Sequence, residues 1–439
     1  MTIKVPMSGG EKALIALSVT LSVALAFFFE CHQIVSGDQM QMLIKGYHAA
    51  MTGEYIPYGN EASTVGNVPG SLSSLVVGFP LTLWLHPLAP IILLVLLRTV
   101  GVLLFANTLA QLFSNRTVVA GTAIYALNPW YMYDFLIYNP SYLSFGAALF
   151  LNMLVRLRSS HDISGLTRFA CSLLLALACG FCLQFHFSWP VLVALSGVLW
   201  LRREIKISYV GIILGVALVG VSLIPYLNEV LQNTAIRTNS ADYTDERYFG
   251  YGLVHVYPLF KAVLYWLRFG SLLVTQKALV AELPDAAPLY QEILRYLWIG
   301  ITQVVGVVTV IVSAFINYQL IFRMKHDSDP SIRFVRGLTI SCLIGLLVAA
   351  GAATLVLNYW QIIILFAFAL MPVMAAVDNN SLWTYRHLLL LMAVMVVFNV
   401  VSACGSDKFS WDSSYIDAVN EYCVNTYGAG ACALPSEAD

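Results

Sequence analysis

Residues Cys31 to Gly70 read CHQIVSGDQMQMLIKGYHAAMTGEYIPYGNEASTVGNVPG, and they interrupt a chain that is otherwise strongly hydrophobic. This polar loop follows a first apolar run, Ala13 to Phe29, and precedes a long series of further apolar runs. Because polar and turn-forming residues collect in the loop, we expect the remaining chain to be a scaffold that holds it against a membrane surface. We therefore expect the chemistry to lie in this loop.

The first half of the loop has the residue spacing of an amphipathic helix. Its apolar face comprises Met40, Leu43, Ile44, Tyr47 and Met51. Its polar face comprises Gln41, Lys45, His48 and Thr52. This i, i+3, i+4, i+7 spacing predicts an interfacial helix, with one face in lipid and the other in water. Asp38 falls in its first turn and Gly53 just past its end.

Two interpretations of Asp38 are open. Asp is a favoured N-cap residue, and Gln41 stands three positions later, as in a capping box. A carboxylate held at the start of a helix is also held rigidly enough to act in catalysis. One residue can serve both roles.

The composition requires a polytopic helical membrane protein. Hydrophobic residues make up 59% of the chain and charged residues 11%, and the mean hydropathy is +0.77. The apolar runs have the length of spanning helices, and the alternation of a barrel strand is missing. A net charge of -1 argues against binding nucleic acid. We expect no cofactor and no metal site, since the sequence contains no P-loop and no metal site made of two Cys-x-x-Cys pairs.

The distribution of Lys and Arg sets the expected topology. The positive-inside rule places the basic clusters in the cytoplasm and predicts about eleven crossings, with the N-terminus inside and the C-terminus outside. The expected spans are residues 13–30, 89–112, 117–135, 141–157, 168–185, 187–201, 207–227, 292–322, 338–357, 359–377 and 387–403. The apolar stretch from Ser71 to Leu85 is short, and we interpret it as interfacial or partly inserted. Residues 1–403 thus form a transmembrane domain with external loops at 31–70 and 228–291, and residues 404–439 form an external tail, in which Cys423 and Cys432 are candidates for a disulfide.

An aromatic corner follows the third expected crossing and includes Trp130, Tyr131 and Asp134. It is either an interfacial aromatic belt or a surface that binds a sugar by stacking and by hydrogen bonds to Asp134. Arg98 lies near mid-depth of the second crossing, where it needs an anion. The anion is either a partner carboxylate or the phosphate of a lipid.

The second external loop contains Arg237, Arg247, Lys261 and Arg268. Scattered charge fits a solvated loop, but the apolar residues between Lys261 and Arg268 favour a second interfacial helix. Basic residues on such a helix suit a lipid-linked phosphate.

The order of these features resembles the membrane glycosyltransferases that use polyprenyl-phosphate sugars, the GT-C superfamily. The first crossing is followed by an external loop with an early acid at Asp38, an amphipathic helix, the strip Gly53-Glu-Tyr55-Ile-Pro-Tyr58-Gly and a Pro-Gly pair. Protein O-mannosyltransferases, the aminoarabinose transferase of lipid A and the serotype-converting O-antigen glucosyltransferases belong to this superfamily. The resemblance implies a GT-C-like helical bundle and adds Tyr55 and Tyr58 as residues that contact sugar or acceptor. Many relatives carry two adjacent acids at this point, whereas Gln39 follows Asp38 here, so Glu54 or Glu61 is the candidate for a second acid.

The resemblance implies an inverting glycosyl transfer on the external face of a bacterial inner membrane. Asp38 would be the general base, and a basic residue would stabilise the departing phosphate. The expected partners are a polyprenyl-phosphate sugar, a glycan or lipid acceptor such as O-antigen or lipopolysaccharide, and membrane lipid. An O-antigen polymerase or ligase is an alternative, and a flippase for a lipid-linked sugar is a second one.

Overall fold

The computed structural model describes residues 6–61, 66–233, 256–271, 288–324, 327–352, 358–380, 382–403, 406 and 408–432. In the first half of the chain the helices, numbered in order, are α1 Gly9–Cys31, α2 Gly37–Thr52, α3 Leu72–Leu83, α4 Leu88–Leu112, α5 Asn115–Ala126, α6 Pro129–Tyr133, α7 Asn139–Arg156, α8 Gly165–Leu183, α9 Pro190–Leu201, α10 Tyr209–Ser222 and α11 Ile224–Gln232. In the second half they are α12 Val256–Phe269, α13 Leu289–Tyr318, α14 Pro330–Ala352, α15 Tyr359–Ile362, α16 Phe366–Asn379, α17 Tyr385–Ala403 and α18 Tyr415–Tyr427. A π-helical turn, Gln319–Arg323, extends α13, and a 3-10 turn, Ile363–Leu365, joins α15 to α16. Between α2 and α3, β1 (Tyr58–Glu61) pairs antiparallel with β2 (Asn67–Pro69).

The described helices confirm a multi-pass helical architecture but not the count of about eleven crossings. Within these residues, 6 helices are long and apolar enough to cross a membrane, or 7 if α10 and α11, which meet at a bend of 43°, form one span. The 6 are Gly9–Cys31, Leu88–Leu112, Gly165–Leu183, Leu289–Arg323, Pro330–Gly351 and Tyr359–Asn379. Several other expected crossings are occupied by shorter helices, among them α5, α9 and α17.

The expected crossing at residues 117–135 is broken by its own sequence. Helix α5 ends at Ala126, and the Asn128 side chain then accepts a hydrogen bond from the Trp130 backbone N–H at 3.0 Å. Pro129 occupies the first turn of α6, where a missing N–H costs nothing. The chain therefore starts a new short helix, which ends at Asp134.

The interior holds α4 against α7 partly through polar contacts. Asn152 on α7 donates hydrogen bonds to the Leu104 carbonyl at 3.1 Å and to the Thr108 hydroxyl at 3.0 Å on α4. Interhelical amides of this kind help helices associate in lipid, where apolar burial alone offers little driving force. At Gly101 an added Cβ would be in ordinary van der Waals contact with the α7 backbone, 3.5 Å from Phe145 Cα.

Helix α2 forms as its periodicity predicts and ends, as expected, at Gly53, whose φ of 77° is left-handed. The predicted faces are partly wrong, however, because α2 packs against α3. Lys45, expected in water, is only 8% exposed, whereas Ile44 is 42% exposed. Gly46 faces Val77 so closely that an added Cβ would lie 2.3 Å from Val77 Cγ1. The close approach of the two helices therefore requires glycine at position 46.

The tail after α17 folds back over the start of the first loop. Phe409 forms an antiparallel bridge with Gln33, and Tyr415 on α18 is fully buried. Cys423 and Cys432 are joined by a disulfide with a Cα–Cα distance of 6.1 Å. The first loop and the tail thus form one structural unit.

Helix α7 separates two chemically different ends of the bundle. Its first residue, Asn139, follows the Asp134 corner and lies beside the loop and tail. At its other end, Arg156 donates to Asn107 at 3.0 Å and Arg158 bridges to Ile205. One end is therefore rich in acids and aromatic residues, while the other carries a basic cluster.

Candidate active site

Asp38 is the second residue of α2, and the N-cap of this helix is Ser36. The interpretation of Asp38 as the N-cap is therefore wrong. The Ser36 hydroxyl donates to the Gln39 side-chain oxygen at 2.5 Å, which places both polar side chains at the helix start. Asn60 in β1 donates to the Asp38 backbone carbonyl at 2.7 Å. The hairpin thus holds the helix start through the backbone and leaves the Asp38 carboxylate at the protein surface.

A lysine that the sequence analysis missed lies within electrostatic range of Asp38. Lys408 belongs to the tail, and its backbone carbonyl accepts a hydrogen bond from the Ile34 N–H at 2.8 Å. The Lys408 ammonium lies 4.7–4.8 Å from the ring centroids of Tyr133, Tyr138 and Tyr359. It also donates to the hydroxyls of Tyr138, at 3.3 Å, and of Tyr359. We call Lys408 and these three tyrosines the tyrosine cage.

The protonation state of Asp38 depends on two opposing effects. More than a third of its surface is accessible, yet the surrounding protein displaces enough water to raise the pKa of the carboxyl group. The positive charge of Lys408 opposes this rise in pKa. A carboxylate whose pKa is raised toward neutrality is better suited to accept a proton.

Behind the cage lies a buried charge network that includes Arg98 and Asp134. Tyr138 donates a hydrogen bond to Asp134 Oδ1, and Arg98 Nη1 lies 3.8 Å from Asp134 Oδ2. Arg98 also donates to the carbonyls of Asp134, at 2.9 Å, Ser141, at 3.4 Å, and Tyr131. Burial raises the pKa of Asp134, and the Arg98 charge opposes that rise. Of the two alternatives for Arg98, the structure supports the carboxylate partner, and its contact with a lipid phosphate stays a prediction.

The aromatic corner is neither an interfacial belt nor an open sugar platform in this conformation. Trp130 is 0% and Tyr131 2% exposed. The Trp130 indole N–H donates to the Arg268 carbonyl at 2.9 Å, and the Tyr131 hydroxyl donates to the Arg98 carbonyl at 2.9 Å. These contacts explain the burial of both rings, and a sugar-binding role for Trp130, Tyr131 and Asp134 stays a prediction.

The remaining candidates of the first loop lie around its hairpin. The Lys45 ammonium donates to the Gly59 carbonyl at 2.6 Å and lies 5.4 Å from the Tyr58 ring centroid. Burial lowers the pKa of Lys45 to about 8, and the charge of Glu61 opposes this effect. Glu54, Tyr55 and Glu61 are exposed. The structure thus leaves both acids accessible, and their role as a second acid stays a prediction.

Helix α12 places two predicted phosphate ligands beside the tyrosine cage. Lys261 donates to the Asn358 side chain at 2.7 Å. The Arg268 guanidinium lies 4.9 Å from the Trp130 ring centroid and 5.1 Å from that of Tyr265. Burial lowers the pKa of both cations, and their mutual repulsion also lowers that of Lys261. Within the described chain, Nε and Nη2 of Arg268 are buried and have no hydrogen-bond partner.

One aromatic cluster connects these groups. The Trp130 ring, beside Arg268, lies 5.5 Å from the Tyr359 ring, beside Lys408. Segments far apart in sequence thus bring Arg268 and Lys408 to one aromatic cluster, and of these two cations Lys408 acts on Asp38. The sequence analysis missed Lys408. This residue is the single Lys or Arg after Arg386 in the sequence, and a lone cation in an otherwise acidic tail could have marked it as a candidate.

Two predicted phosphate ligands, Arg237 and Arg247, lie outside the described residues. In the part of the chain that is described, no group of three His, Cys, Asp or Glu side chains is arranged to hold a metal ion.

Comparison with solved structures identifies the fold. The chain is similar to ArnT from Cupriavidus metallidurans in the apo state, with 14% identity, a TM-score of 0.53 and coverage of 88% of this chain and 63% of ArnT. For ArnT bound to undecaprenyl phosphate, the identity is 14%, the TM-score 0.55 and the coverage 89% and 64%. The Archaeoglobus fulgidus oligosaccharyltransferase in the apo form aligns with a TM-score of 0.46, 12% identity and coverage of 96% and 59%. No family model matches the chain, and no curated protein sequence matches it.

ArnT is an aminoarabinose transferase of the GT-C superfamily. The similarity confirms the GT-C-like fold that the sequence resemblance predicted. At 14% identity it shows the fold alone, and this chain spans less than two thirds of the length of ArnT.

Proposed function

We propose that this protein transfers a sugar from a polyprenyl-phosphate donor to a glycan or lipid acceptor at the external face of a bacterial inner membrane. The observation that carries the proposal is the position of Asp38, exposed at the surface within electrostatic range of the Lys408 ammonium. A base next to cations suits the attack of a hydroxyl on a sugar phosphate. The GT-C-like fold shared with ArnT, which was solved with undecaprenyl phosphate, supports this donor.

In the proposed reaction, the acceptor oxygen attacks the anomeric carbon and loses its proton to Asp38. The bond between that carbon and the phosphate oxygen breaks, and the electron pair leaves with polyprenyl phosphate. Attack opposite the leaving group inverts the anomeric configuration. Two guanidinium nitrogens of Arg268, Nε and Nη2, have no hydrogen-bond partner among the described residues, and these donors suit the negative charge of the phosphate.

An apolar groove offers a path for the polyprenyl chain. It has a volume of about 340 Å³ and runs between α13 and α17, where Trp298 and Phe398 are among its lining residues. Phe398 also lines a small cavity with Tyr133, whose ring belongs to the tyrosine cage. A lipid tail in the groove would therefore bring its phosphate toward the cage.

The membrane orientation in this proposal follows from the two ends of α7. The end with Arg156 and Arg158 faces the cytoplasm, as the positive-inside rule requires. The opposite end, with Asp38 and the tail, then faces outward, so that both chain termini have the predicted orientation. O-antigen or lipopolysaccharide is the acceptor class that we propose.

The test is transfer by the purified protein in nanodiscs. Radiolabelled undecaprenyl-phosphate sugars are supplied with extracted lipopolysaccharide, and label in the acceptor is counted. The proposal predicts label in the acceptor and release of undecaprenyl phosphate. Movement of the intact donor across liposome membranes without bond cleavage would instead identify a flippase, and elongation of a lipid-linked glycan would identify a polymerase.

A further inference from the structure

The tail is attached to the loop immediately before Asp38. Ile34 N–H donates to the Lys408 carbonyl at 2.8 Å, and Ser410 N–H donates to the His32 carbonyl at 2.9 Å. The Ser413 hydroxyl donates to the same His32 carbonyl at 3.1 Å. The residues that lead into α2 therefore also set the position of Lys408.

The Lys408 side chain is fixed as firmly as its backbone. Three tyrosine rings surround the ammonium at nearly equal distances, and two tyrosine hydroxyls accept hydrogen bonds from it. Cation–π contacts and hydrogen bonds of this kind stabilise the charged form and limit side-chain motion. The cage thus holds a positive charge at a defined place.

The groups behind the cage do not cancel that charge. Tyr138 joins Lys408 to Asp134, but the Asp134 carboxylate already faces the Arg98 guanidinium at 3.8 Å. Lys408, Arg98 and Asp134 together carry a net charge of about +1 when all three are ionised. The tail hydrogen bond at Ile34 holds Lys408 beside the residues that lead into Asp38, and this acid is within electrostatic range of the ammonium.

We propose that Lys408 is a positioning residue that keeps the Asp38 carboxylate ionised, so that the C-terminal tail completes the active site. The inference rests on the proposed function, in which ionised Asp38 is the base. Other groups near Asp38 do not replace Lys408: Lys45 lies two turns along α2 and interacts with Glu61. The tyrosines of the cage are neutral, and the charge of Arg98 is paired with that of Asp134.

The first test is the pH dependence of kcat/KM for sugar transfer. Lys408→Met should move the acid limb to higher pH by about one unit, the lower end of the effect of one nearby opposite charge on a carboxyl group. Lys408→Arg retains the charge and should restore the limb. Lys206→Met, which removes a lysine at the other end of the bundle, should leave the limb unchanged.

The second test needs no transferase activity. Carbodiimide labelling of protonated Asp38, followed by mass spectrometry across a pH series, should show the same upward displacement in Lys408→Met and none in Lys408→Arg. If the wild-type protein transferred no sugar, the proposed function would fail, while labelling would still report the coupling of Lys408 with Asp38.

An unchanged labelling profile in folded Lys408→Met would overturn the inference. A raised KM without a displaced acid limb would also overturn it, because Lys408 would then be a phosphate ligand. Should Lys408→Met not fold, Lys408→Gln, which removes the charge but keeps an N–H donor, is labelled instead: a displaced profile supports the inference and an unchanged one overturns it.

Discussion

Arg98 Nη1 lies 3.8 Å from Asp134 Oδ2, and both side chains are 1% exposed. The pair joins α4 to the corner between α6 and α7, the same corner that presents Tyr138 to the tyrosine cage. Its chief role in the structure is thus to hold the corner behind the candidate active site.

Replacement of Arg98 by Gln should destabilise the protein strongly. Removing one partner leaves a buried charge uncompensated, which typically costs about 3–5 kcal/mol. Thermal unfolding in detergent measures the loss. Arg202→Gln is the matched control, since Arg202 pairs with Glu204 at 2.7 Å on the surface and should cost under about 1 kcal/mol. Equal losses in the two variants would contradict a structural role for the Arg98 pair.

Replacement of Arg268 by Gln should lower kcat for sugar transfer. On an interfacial helix an arginine exposed to water would chiefly raise KM when it is lost, but the structure half-buries the Arg268 guanidinium between two rings. Loss of a charge-assisted hydrogen bond to the phosphate should cost about 1.5–3 kcal/mol, or roughly tenfold to a hundredfold in rate. Arg333→Gln, the same change at an exposed arginine, is the control and should leave kcat unchanged. An unchanged kcat with a raised KM would show that Arg268 only gathers the donor.

Replacement of Gly46 by Ala should destabilise the contact between α2 and α3. The added Cβ would lie 2.3 Å from Val77 Cγ1 and 2.6 Å from Val77 Cβ, and such overpacking typically costs about 1–3 kcal/mol. Gly37→Ala in the same helix meets nothing within 4 Å and should be neutral or stabilising. The measurement is the melting temperature of each variant. A Gly46→Ala protein that melts at the wild-type temperature would contradict the close contact between α2 and α3.

Reduction of the Cys423–Cys432 disulfide should loosen α18 and the surface it shares with α2. Closing so short a loop contributes about 2–3 kcal/mol in the chain-entropy view. Tyr422 and Tyr427, on or next to the bonded segment, lie 5.8 Å and 6.4 Å from the Tyr47 ring. Reductant should lower the melting temperature of the wild type, while the Cys423→Ser/Cys432→Ser double variant should melt at the same temperature with and without reductant. No response of the wild type would argue against the bond.

Much of the scaffold could be predicted because it depends on local sequence. Hydropathy located the long spans such as α4, and periodicity located α2 and its end at Gly53. The faces of α2 were harder to predict, because the β1–β2 hairpin, rather than water, surrounds the Lys45 ammonium. The break at Pro129 was readable in principle, but a continuous apolar run obscured it.

The candidate site was harder to predict because distant segments build it. Asp38 could be singled out as an acid in the first loop. The burial of Trp130 results from packing against α12 and Tyr359, and the approach of Lys408 requires the tail to cross the bundle. Neither contact has a local signature, so the sequence alone indicated Asp38 as the proposed base but not the residues around it.

The central claim is that Asp38 is the general base. Asp38→Asn preserves the size of the side chain and leaves the Ser36 cap in place, so expression and melting temperature should stay near wild type. Asp412→Asn, the same change at an exposed aspartate of the tail, is the matched control. The rate of sugar transfer from undecaprenyl-phosphate sugar to acceptor should fall about 10²–10⁴-fold in Asp38→Asn and change little in Asp412→Asn, whereas a near wild-type rate in folded Asp38→Asn would contradict the account.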